Sequence, residues 1–89
     1  MYGKEYPYLV TFDTQRNRRY INWGCFIYTR SQKEARAIAT RLWNSDSNPK
    51  YGRNKPHMFH LSAERVPENV RDKDPEQFWK ISDRYANWG

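Results

Sequence analysis

The chain has 89 residues, of which 37% are hydrophobic and 17% aromatic, and it carries a formal charge of +6. Its length predicts one domain spanning residues 1–89 with a thin core, so the four Trp, seven Tyr and four Phe must supply much of the buried area. That ring content excludes a disordered chain, the lack of any apolar run of roughly 18 residues excludes a membrane-spanning helix, and Cys25 as the sole cysteine excludes an intrachain disulfide or a cysteine-based zinc site.

Tyr8–Asp13 is rich in β-formers and reads as a strand, followed by a polar connection over Thr14–Arg19 in which Asn17 takes a left-handed conformation at little cost. Tyr20–Tyr28 reads as the second strand of a hairpin. Its alternation sets Ile21, Trp23, Cys25 and Ile27 on a core face, with Tyr20, Asn22, Gly24, Phe26 and Tyr28 on the other. Cys25 then serves as a small apolar residue in the core. The second face predicts either an exposed ring surface or a smaller packing layer.

Ser31-Gln-Lys-Glu34 is a capping-box pattern opening a helix that runs to about Asn44. Ala35, Ile38, Ala39 and Leu42 define its apolar stripe, and Trp43 falls at the stripe's edge near Arg36. Asn44–Pro49 ends this helix, and Lys50–Pro56 continues as an exposed loop. His57–Val66 predicts a third strand with Phe59 and Leu61 buried, stopped by Pro67. Asp74-Pro-Glu-Gln77 marks a second helix start, with Phe78, Ile81 and Tyr85 sharing a face. The expected fold is α+β, a small antiparallel sheet in β-β-α-β-α order with helices packed on one face.

Catalytic signals are absent from this pattern, and the sequence predicts no enzyme, no metal and no cofactor. His57 and His60 are three apart, which in a strand separates them to opposite faces. Asp13 and Glu64 would converge on a divalent ion only if the first and third strands were neighbours in suitable register. No glycine-rich phosphate loop or nucleophile elbow occurs.

The charge is uneven. Residues 1–55 hold eleven Lys/Arg against four acidic residues, whereas residues 56–89 hold five against six. The basic excess sits in two clusters. Arg16, Arg18 and Arg19 occupy the hairpin tip, and Lys50, Arg53 and Lys55 line the long loop with Tyr51 among them. Guanidinium forks suit phosphates, and a ring interleaved with cations suits unpaired bases. These seven residues are the candidate nucleic-acid contacts, to DNA or RNA, of a cytoplasmic protein with no membrane partner. A lone cysteine in so small a chain fits a reducing compartment.

Val10–Asp13, the basic turn at Arg16–Arg19, the next strand and Ser31–Ala37 opening a helix together resemble the arm-type DNA-binding domains of phage integrases, over about a third of the chain. That resemblance implies a small sheet entering the major groove with the helix behind it, although here a strand is expected after the helix. As a small, aromatic-rich single domain the chain also looks like phage and mobile-element accessory proteins. This implies the alternative function: binding and inhibiting a nucleic-acid-handling protein complex, of anti-CRISPR or other anti-defence type, through the basic face or through Tyr20, Phe26, Tyr28 and Trp88 as anchors.

Overall fold

The computed structural model describes residues 4–45, 51–67 and 75–81. Two long strands dominate it: β1 (Tyr6–Arg16) and β2 (Arg19–Thr29). They pair antiparallel without a break from Tyr6 opposite Thr29 to Arg16 opposite Arg19. The connection is shorter than the sequence predicts. Thr14, Gln15 and Arg16 continue β1, because Thr14 is buried and its hydroxyl accepts a hydrogen bond from the Trp23 indole N–H at 3.0 Å. Only Asn17 and Arg18 remain for the turn, both with positive φ, 53° and 67°. A two-residue loop with both φ positive is the mirror-image turn whose twist matches that of the flanking strands.

The helix α1 (Gln32–Asn44) starts where the capping pattern predicts. Ser31 Oγ accepts from the Glu34 amide at 3.1 Å, and Ala35 N–H bonds Ser31 O at 3.0 Å. The Glu34 carboxylate does not reach back along the helix. It accepts from the Thr29 hydroxyl at the end of β2 and lies 3.4 Å from Arg30, so the Thr29 bond first and the Arg30 charge second hold its pKa below the usual carboxylate value.

The buried stripe of α1 is Ala35, Ala39 and Trp43, while Ile38 and Leu42 are half-buried on its flank. Two alanines let the helix approach the sheet, and Trp43 fills the space beyond them. Trp43 is therefore the centre of the core rather than an edge residue. Its ring lies 4.9 Å from Phe12, 5.3 Å from Trp23 and 5.0 Å from Phe78, and its indole N–H donates to Pro56 O at 2.8 Å. Tyr8, Val10 and Phe12 from β1 and Trp23, Cys25 and Ile27 from β2 complete this layer, as the alternation of β2 predicts.

A 3₁₀ turn (Gly52–Asn54) leads to β3 (Phe59–Arg65), which pairs antiparallel with β1. The short β4 (Trp79–Lys80) pairs with β2, giving a sheet of order β3-β1-β2-β4. The fold is mixed α+β with an antiparallel sheet, but the predicted second helix start is not formed. Pro75 and Glu76 make a turn, Glu76 with φ of 64° donates its N–H to Phe26 O at 2.8 Å, and the chain then extends into β4. Pairing with β2 overrides a cap signal whose first residue, Asp74, lies outside the described residues, as does Tyr85.

Trp79 explains why a strand wins. Its ring covers Gly24, where an added Cβ would come within 2.6 Å of it, and it lies 5.9 Å from Phe26. This is the smaller packing layer on the second face of β2, and it buries Phe26 and leaves Tyr28 half-buried. Trp88 lies outside the described residues. Of the four rings considered as anchors, Tyr20 is the one that is openly exposed among the described residues.

Candidate nucleic-acid interface

The hairpin tip presents Arg16, Arg18 and Arg19, all exposed, and none is paired with a carboxylate among the described residues. Arg16 and Arg19 are direct cross-strand partners. Side-chain alternation sets both toward the helix side of the ribbon, with Tyr20 toward the open side. A shallow groove lined by Arg16, Asn17, Arg19, Tyr20 and Ile21 joins the two sides. It runs along the edge of β2 beyond the reach of β4, which pairs only with Trp23 and Gly24.

Arg18 holds a left-handed backbone where glycine is the ordinary occupant. An L-residue there carries a cost of roughly 1–2 kcal/mol.

The second basic cluster is arranged differently. Lys50 lies outside the described residues. The Tyr51 ring is edge-on to Trp23 at 5.9 Å and to Trp43 at 5.5 Å, so it closes the core at the end of α1 rather than standing out in a loop. Arg53 is exposed and Lys55 half-buried, and both have interactions within the protein. Through Tyr51 this segment sits on the helix side of the sheet beside Trp23, four positions along β2 from Arg19.

On the open face near the tip lies a group of rings that the sequence does not announce. Tyr20 and Phe59 are the large exposed hydrophobics of the described residues, at 57% and 37% exposure, with ring centroids 6.4 Å apart. His60 is tilted beside both, 6.4 Å from each, and His57 stands edge-on to Phe59 at 4.9 Å. His60 Nδ1 is 2.9 Å from Asp13 Oδ2, which fixes the ring over β1.

Strand alternation places Phe59 inside, whereas in the structure it is exposed. Its exposure comes from a β-bulge. Ala63 is opposite Val10 and Ser62 opposite Thr11, so an unbroken ladder would set Phe59 opposite Thr14 on the core face. The register instead shifts between Thr11 and Asp13, His60 adopts a φ of 56°, and Phe59 arrives opposite Asp13 on the open face. Of the expected buried pair in this strand, Leu61 is half-buried, and Ala63 takes the buried position. Nothing in the sequence marks the bulge, because Phe59 shares its parity with Leu61 and Ala63.

Asp13 and Glu64 do not converge on a common site. The strands are neighbours, but Glu64 is opposite Leu9 and Asp13 opposite Phe59. Four positions along β1 separate them by about 13 Å. Among the described residues, no group of three or more His, Cys, Asp or Glu side chains is placed to hold a metal ion, and no helix is long and apolar enough to cross a membrane. Cys25 is fully buried, and burial first and the Glu76 carboxylate second push its thiol up to about 12.

No known protein-family model, curated protein or solved structure matches the chain.

Proposed function

We propose that this protein binds nucleic acid, DNA or RNA, through its arginine-tipped hairpin, as a non-catalytic module of the cytoplasm. The observation that carries this reading is the tip itself. Three exposed arginines with no carboxylate partner among the described residues occupy four consecutive positions, and one of them sits in a backbone conformation that favours glycine. Strained non-glycine residues persist where function repays the cost. A chain of charge +6 adds long-range attraction for a phosphate backbone. Arg53 and Lys55, in the segment that Tyr51 anchors on the helix side of the sheet, add positive charge on the side to which Arg16 and Arg19 point.

A second reading is supported by the open ring pair. Tyr20 and Phe59 have the character of protein-binding anchors, which suits an inhibitor that occupies a nucleic-acid-handling protein complex. Titration of the wild type with labelled single and double strands at about 50 mM salt separates the two, since phosphate attraction is strong there. Binding to either form is the expected result. No binding to any strand form overturns the nucleic-acid reading in favour of the inhibitor.

A further inference from the structure

The ring group and the arginine tip meet along one groove, and their chemistry is complementary to two different parts of one ligand. Tyr20 lines the groove together with Arg16 and Arg19, and its ring continues onto the open face toward Phe59. The bulge at His60 is the device that turns Phe59 outward, and bulges of this kind re-aim side chains beside functional sites. Without it, an aromatic of this size would join the core and gain the burial it now forgoes.

Three of the four non-glycine residues with positive φ among the described residues, Asn17, Arg18 and His60, surround this corner. The corner also has a sign. The Asp13 carboxylate is engaged by the His60 ring at 2.9 Å, whereas the tip arginines have no carboxylate partner among the described residues, so phosphate is drawn to the tip. That leaves the rings to uncharged, planar groups.

We infer that the ligand of this site is a single-stranded nucleic acid, with an unpaired base stacked on Tyr20 against Phe59 while its phosphates run along the β2 edge to Arg16 and Arg19; the inference rests on the nucleic-acid reading above. A base within a duplex is already stacked on both faces and cannot lie on a side-chain ring, whereas an unpaired base stacks on aromatics irrespective of sequence.

The test titrates wild type, Tyr20→Leu, Phe59→Leu and Phe59→Trp against a labelled single strand of about twelve nucleotides and against its duplex, at three salt concentrations. Wild type should prefer the single strand. Each leucine variant should weaken single-strand binding by about 5- to 150-fold at every salt concentration, with no change in the salt slope or in duplex binding. Phe59→Trp should retain the affinity, which separates loss of the ring from loss of the fold.

Equal or tighter duplex binding, with all ring variants behaving as wild type, overturns the inference and leaves the nucleic-acid reading standing. Absence of binding to both forms removes that reading and the inference with it.

Discussion

Replacing Arg18 with glycine should move stability and binding in opposite directions. The native φ of 67° costs an arginine roughly 1–2 kcal/mol, and glycine adopts it without that cost. Glycine also gains freedom in the unfolded chain, which returns about 0.4–1 kcal/mol. At mid-range values the net is a stabilisation of about 0.8 kcal/mol, because no described partner of Arg18 is lost. For a chain of this size that raises the thermal midpoint by about 3–6 °C. The same substitution removes one guanidinium from the tip, so the slope of log affinity against log salt should flatten by about 0.7 for a single strand or 0.9 for a duplex. Thermal unfolding by circular dichroism and a fluorescence titration across salt read the two effects on one sample. A lower midpoint would refute the account of the turn. An unchanged slope and affinity would refute the role of Arg18 in binding.

Gly24→Ala places a methyl group within 2.6 Å of the Trp79 ring, so it should displace β4, shift tryptophan emission to longer wavelength and destabilise the protein; unchanged emission and stability would show that this packing is not tight. The Cys25 thiol should resist alkylation in the native protein and react once it is unfolded, as it is buried and has a pKa of about 12. Since that value lies above the ordinary 9.0, the protonated thiol stabilises the fold fully below pH 9 and the contribution is lost toward pH 12. Unfolding of Cys25→Ala followed across that range should lack this component, and identical pH dependence in both proteins would contradict it.

The hairpin, the start of α1 and the core face of β2 were legible because each follows from a short-range rule: alternation, a cap and a turn former. Trp43 departs from the edge position that the periodicity predicts for a physical reason. Ala35 and Ala39 belong equally to the stripe that includes Ile38 and Leu42 and to the one that ends at Trp43, and only the close helix–sheet approach selects the second. The Asp74–Gln77 cap signal lost to long-range pairing, since Trp79 finds in Gly24 a position with no side chain to obstruct it. The arginine tip was visible as a cluster, but its two-residue turn was not, because Thr14 reads as a polar loop residue until Trp23 supplies its hydrogen bond. The ring platform was the least legible part. Tyr20 was visible as an outward ring, yet its partner Phe59 depends on a one-residue slip in β3, which alternation assigns to the core.

The most direct test of nucleic-acid contact at the hairpin compares wild type with the Arg16→Ala/Arg19→Ala double variant across salt. Both residues are exposed strand partners, so the thermal midpoint should stay nearly unchanged. Losing two phosphate contacts should flatten the slope of log affinity against log salt by about 1.4–1.8. A slope equal to that of wild type, in a variant that remains folded, would contradict the claim that this tip holds the phosphate backbone.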